Sequence, residues 1–179
     1  MTDGGLSYAG LERRSAALAA RLQALGAGPG DHVALSLPPS AQLVIGLLAI
    51  LRAGCAFVPL DPAYPRERRA FMLRDSGANL LVTAAGVATD LDAAVLRLEV
   101  DDADDAAGFA PVAVGPDATA FLLYTSGSTG EPKGAIGRHD GAVNRCHWMW
   151  REYGYGVDDV FCLRTSINFI DSLWEIFGA

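Results

Sequence analysis

Between helix-forming stretches this chain repeatedly sets short apolar runs, and few folds satisfy that alternation. Residues 33–37, 56–60, 80–82, 96–100, 119–124 and 160–163 are brief apolar runs of strand character. In 11–25, Leu11, Leu18, Leu22 and Leu25 recur at helical spacing with Arg13, Arg14 and Arg21 between them, which predicts an amphipathic helix ended by Gly26, Gly28 and Gly30. Further helices are expected at 42–52, where Gly54 follows as a breaker, at 66–74, and at 144–151 with Trp148 and Met149 in the core. Helices alternating with buried strands in this way predict an α/β fold, with helices layered on a mainly parallel sheet. The weakest-structured stretch is 101–116. It opens on Asp101, Asp102, Asp104 and Asp105, a solvated acidic loop without the spaced ligands and glycine turn of a hard-cation site.

A chain of 179 residues, 51% hydrophobic and 20% charged, can bury one real core. The formal net charge of -7 at pH 7 excludes a general nucleic-acid surface, which needs a dense basic face. No apolar run is long enough to span a bilayer, and Met1-Thr2-Asp3-Gly4-Gly5 lacks the basic start of a secretory signal. A cytoplasmic chain with neither nucleic-acid nor membrane partners is therefore expected. Cys55, Cys146 and Cys162 are widely spaced, each in an apolar setting, and are expected to be reduced core thiols rather than a disulfide framework or metal ligands.

The segment Tyr124-Thr125-Ser126-Gly127-Ser128-Thr129-Gly130-Glu131-Pro132-Lys133-Gly134 lies directly behind the apolar run 119–124. Gly127, Gly130 and Gly134 let a backbone turn tightly and aim N–H groups at an anion. The hydroxyls of Thr125, Ser126, Ser128 and Thr129 add donors, and Lys133 adds positive charge. Such a composition between polar regions would be a flexible linker, but behind a buried strand it makes a polyphosphate cradle. It is not a Walker loop, because Pro132 stands where the second glycine should be.

This segment resembles the signature loop of the adenylate-forming (AMP-binding) superfamily, which includes acyl-CoA ligases and the adenylation domains of nonribosomal peptide synthetases. Leu6-Ser7-Tyr8-Ala9-Gly10-Leu11 is similar to the family's opening motif, and Leu51-Arg52-Ala53-Gly54-Cys55-Ala56-Phe57-Val58-Pro59-Leu60-Asp61 to its second. The latter, continued through Tyr64-Pro65-Arg66-Glu67-Arg68, looks most like the peptide-synthetase branch. Phe169-Ile170-Asp171-Ser172-Leu173-Trp174-Glu175 is similar to the segment that lines the acid pocket. The resemblance therefore covers essentially the whole chain.

The resemblance implies ATP-dependent activation of a carboxylic acid, most simply an amino acid, as an acyl adenylate, and then transfer to a phosphopantetheine thiol on a carrier protein. Thr125, Ser126, Gly127, Ser128, Thr129, Gly130 and Lys133 would bind phosphates, with Lys133 as the catalytic charge on the leaving pyrophosphate. Phe169, Ile170, Asp171 and Trp174 would line the acid site. Amino-acid-activating members carry an Asp at the position of Ile170 to meet the substrate ammonium. Asp171 could instead meet an amino group placed elsewhere, meet another donor, or make a structural hydrogen bond. His139 and His147 are read as belonging to a core-facing helix rather than to the site. The family's Mg2+ ligand and its mobile second domain are expected beyond Ala179, so residues 1–179 are expected to be a partial adenylation domain, inactive alone. The competing readings are an acyl-CoA or aryl-acid ligase and, from another class, a non-catalytic nucleotide-binding remnant.

Overall fold

A computed structural model describes residues 5–91, 96–100, 109–126 and 131–178. Six strands form one sheet in the order β4-β3-β1-β2-β5-β6. They are β1 (His32–Leu35), β2 (Ala56–Pro59), β3 (Leu80–Thr83), β4 (Leu96–Glu99), β5 (Thr119–Ser126) and β6 (Pro132–Arg138). All neighbours are parallel except β5 and β6, which form an antiparallel hairpin. The helices are α1 (Tyr8–Ala24), α2 (Ala41–Arg52), α3 (Arg66–Asp75), α4 (His139–Tyr153) and α5 (Asp171–Phe177).

Local chemistry sets the helix ends. Ser7 and Ser40 are extended residues whose hydroxyls accept from Gly10 N at 3.1 Å and Leu43 N at 3.3 Å, satisfying N–H groups at the starts of α1 and α2. Gly54, at φ +85, turns the chain out of α2, and a Cβ there would meet Val112 at 2.9 Å. On α3, buried Arg69 is satisfied by both carboxylate oxygens of Asp90, at 3.1 and 2.7 Å.

The two-residue repeat of the strands sorts the core into two halves. Val33, Leu35, Phe57, Val82, Phe121 and Leu123 pack on the face that carries α2, together with Ile167 and Leu173. Ala34, Val58, Leu81, Leu122 and Tyr124 point the other way, onto Met72 and Leu73 of α3. Covering both faces is what a parallel sheet requires.

Several expectations change. Pro132, Lys133 and Gly134 were expected to belong to the phosphate loop, yet they open an edge strand, 132–138. Its mostly exposed side chains give no apolar signal, and it forms because the hairpin lays its backbone on β5. A Cβ at Gly137 would collide with the Phe121 ring. Residues 160–163 pair with no described strand, and Val160 is 95% exposed. Helix α4 starts earlier than expected and presents Cys146 as its buried residue, leaving Trp148 and His147 exposed and Met149 half-buried. Cys55 and Cys146 are buried thiols, whereas Cys162 is exposed. The acidic run 101–105 lies outside the described residues. Among the described residues no helix is long and apolar enough to cross a membrane.

Candidate active site

Strand β5 runs from the core to the surface, buried from Ala120 to Tyr124 and exposed at Thr125 and Ser126. The hairpin register sets Thr125 opposite Lys133 and Ser126 opposite Pro132, so the Thr125 hydroxyl and the Lys133 ammonium share one face of its open end and Ser126 lies on the other. Lys133 is exposed and forms no ion pair among the described residues. Gly127, Ser128, Thr129 and Gly130, expected to complete the cradle, lie outside the described residues.

Beneath this mouth the strand is anchored. The Tyr124 hydroxyl donates to Asp75 Oδ2 at 2.7 Å, joining β5 to the last residue of α3. Burial, reinforced by the bonded Asp75 carboxylate, pushes the phenol above its usual range and keeps it a neutral donor. A Cβ at Gly134 would press on Leu122 and Tyr124 at 3.1 and 3.3 Å, so glycine lets β6 lie over them.

A groove of about 810 Å³ opens between the hairpin, α4 and α5. Phe169, Ile170, Asp171 and Trp174 all line it, and so does Thr125, which makes the groove continuous with the hairpin mouth. Trp174 is buried, packed edge-on to Phe161 at 5.4 Å, while Phe169 and Ile170 are exposed. Asp171 Oδ1 accepts from Arg145 Nη2 at 3.0 Å, and the Arg145 guanidinium lies 5.3 Å over the Trp148 ring. Asn168, also on the groove, is 5% exposed, and neither its Oδ1 nor its Nδ2 has a partner among the described residues.

The segment leading into the groove is pinned twice. Ser166 Oγ donates to Asp61 Oδ2 at 2.5 Å, which ties it to the end of β2. The Glu175 carboxylate accepts from Arg164 N, Thr165 N and Thr165 Oγ1 at 2.8, 2.9 and 2.7 Å. Burial works against ionisation of Glu175, but those donors outweigh it and hold its carboxyl below the usual value. Sequence reasoning missed Arg145, Asn168 and these two clamps. They join residues distant in the chain, and spacing carries no signal for such contacts.

The donor set fits a polyphosphate: exposed hydroxyls, an ammonium with no ion pair among the described residues, and a strand end whose tyrosine stays neutral. No three His, Cys, Asp or Glu converge as a metal site among the described residues. The sequence matches the AMP-binding enzyme family over residues 1–179. The chain belongs to that family. Over 98% of its length the chain is 40% identical to phosphinothricin tripeptide synthetase PhsB of Streptomyces viridochromogenes, of which it spans 16%. It is 42% identical to AMB antimetabolite synthetase AmbB of Pseudomonas aeruginosa, again over 98% of the chain, spanning 14% of that protein. The crystal structure of the nonribosomal peptide synthetase FmoA3 superposes with a TM-score of 0.88 at 30% identity, covering 97% of this chain and 19% of that one. Its AMPPNP-bound form superposes at 0.87.

Proposed function

We propose that this AMP-binding chain contributes the phosphate cradle and one wall of the acid groove to an enzyme that activates a carboxylic acid, most simply an amino acid, as its acyl adenylate. Thr125 carries the reading, because it belongs to both the hairpin mouth and the groove. An acid lying in the groove would present its carboxylate where the α-phosphorus of a nucleotide held at the mouth would sit. ATP, with Mg2+, supplies the electrophilic phosphorus and the pyrophosphate leaving group when bound.

The chain's own work is positioning and charge. Thr125 and Ser126 donate to phosphate oxygens together with the loop residues Gly127, Ser128, Thr129 and Gly130, and Lys133 offsets the negative charge that grows on pyrophosphate. Phe169, Ile170 and Trp174 exclude water from the acid, and Asp171 lies beside them in its ion pair with Arg145. A carboxylate oxygen bonds to the α-phosphorus as the bond to the bridging oxygen breaks. A thiol then takes the acyl group and AMP leaves.

The acceptor is the phosphopantetheine of a carrier protein, a reading supported by relatives that are peptide synthetases. A cytoplasmic setting suits the need for ATP and the unpaired cysteines. Residues 1–179 span a small share of these relatives and act as one part of an adenylation domain. The test is acid-dependent exchange of labelled pyrophosphate into ATP by the full-length protein. Exchange with at least one acid is expected, and none with any acid from a folded protein would refute the function.

A further inference from the structure

The phosphate mouth and the acid groove's far wall come from distant parts of the chain, and a reaction between their occupants depends on how the two are held together. Residues 161–170 form neither helix nor strand, so no backbone ladder fixes them. Glu175 of α5 takes the N–H groups of Arg164 and Thr165 and the Thr165 hydroxyl, bonds that span ten or eleven residues and set the segment's own shape. Ile167 adds apolar packing against the core, which has no direction. Among the described residues, the side-chain hydrogen bond that crosses from this segment to the end of the sheet is the one from Ser166 to Asp61.

Asp61 is itself held firmly. It follows Leu60, whose N–H still donates to Leu35 O of β1 at 2.8 Å. Its Oδ1 accepts from Ala63 N at 2.9 Å and its carbonyl accepts from Tyr64 N at 2.9 Å, so side chain and backbone are locked in one turn. The other oxygen, Oδ2, meets the Ser166 hydroxyl at 2.5 Å, the length of a charge-assisted bond. Strands β2 and β5 run parallel with Phe57 beside Phe121, and Asp61 and Thr125 each stand four residues beyond that pair. The tie is therefore made at the level where the mouth opens.

We propose that Asp61 is a positioning residue for acid activation, which, by holding Ser166, sets the groove wall at a fixed distance from the phosphate mouth. The inference rests on the acid-activating reading of the groove and adds a residue to it. The part played by Asp61 is geometric: it acts through Ser166, and its charge is not needed at the reacting atoms. Such a tie matters because a shift of about 1 Å between reacting groups can cost roughly 100-fold in rate.

The test combines pyrophosphate exchange with amide hydrogen exchange, both on the full-length protein. Asp61→Ala and Ser166→Ala should each lower kcat/KM for the acid by about 10- to 100-fold while KM for ATP stays within about threefold. The double variant should be no worse than the poorer single one, because one link is lost in each case. Asp61→Asn should restore most of the activity, since its carboxamide oxygen still accepts from Ala63 N and its nitrogen donates to Ser166 Oγ. Amide exchange should rise over 164–170 in both Ala variants and stay unchanged over 119–126.

An Asp61→Asn enzyme as impaired as Asp61→Ala would show that the charge acts directly and would overturn the inference. Full activity in Ser166→Ala, or a loss that falls on KM for ATP alone, would do the same, and in each case acid activation would stand. If Asp61→Ala does not fold, Ser166→Ala and Asp61→Asn still decide it. No exchange with any acid from the unaltered protein would remove the acid-activating reading and this inference together.

Discussion

The link between Tyr124 and Asp75 anchors the strand that carries the phosphate loop, and its loss can be quantified. Tyr124 is 3% exposed, and its hydroxyl donates to a carboxylate at 2.7 Å. A hydrogen bond to a charged group contributes about 1.5–3 kcal/mol, but Asp75 lies at the surface and water replaces the lost donor, so Tyr124→Phe should cost about 1–2 kcal/mol. Asp75→Ala should cost at least as much, about 1–3 kcal/mol, because it strands the phenol oxygen in the core. The double variant should fall well short of the sum, with a coupling of about 1 kcal/mol, since one bond is removed in both cases. Urea unfolding of the full-length protein, followed at the transition that reports this region, measures the three differences. If the anchor also sets the loop, Tyr124→Phe should raise KM for ATP more than KM for the acid. Strict additivity of the two substitutions, with each below about 0.3 kcal/mol, would refute the reasoning.

Lys133→Ala should weaken pyrophosphate exchange by about 1.5–3 kcal/mol, the usual worth of a charged hydrogen bond, and an unchanged rate would remove Lys133 from the chemistry. Glu175→Gln should loosen the segment at Thr165 and destabilise the fold by about 1 kcal/mol, a figure already reduced for solvent access and read from the shift in urea midpoint. The folded-state pKa of Glu175 lies below its unfolded value, so its contribution is complete above the ordinary carboxyl range and disappears as pH falls through the lowered folded value. The Gln variant should therefore lose this part of the acid sensitivity. Cys162 should alkylate first at neutral pH; Cys55, its thiol pushed up to about 11 by burial and then by Asp31, should react only as the protein unfolds.

The parallel sheet was legible because its strands are buried on both faces. Val33, Ala34 and Leu35 are all apolar although they alternate between two cores, so a continuous apolar run marked the strand without marking its faces. The same rule misled at 160–163, where apolar residues pair with no described strand. It was silent at β6, where Gly134 and Gly137 are required by Tyr124 and Phe121 of the neighbouring strand, a contact that spacing cannot show. The helical pattern around Trp148 was read as core-facing, yet Arg145 covers that ring from the surface side. At the site, residue types identified the phosphate donors, and resemblance identified the groove segment. The Arg145–Asp171 pair, and the Asn168 amide that has no partner among the described residues, depend on how the chain packs around α4 and α5 and needed the fold.

The central claim is that the acid's carboxylate attacks the α-phosphorus from the groove that Thr125 shares with the phosphate cradle. It is tested most directly by heavy-oxygen labelling of the acid's carboxylate, with AMP and pyrophosphate from the full-length protein weighed by mass spectrometry after thiol transfer. The account predicts label in AMP and none in pyrophosphate. Label in phosphate or pyrophosphate, or acyl transfer that leaves AMP unlabelled, would contradict it.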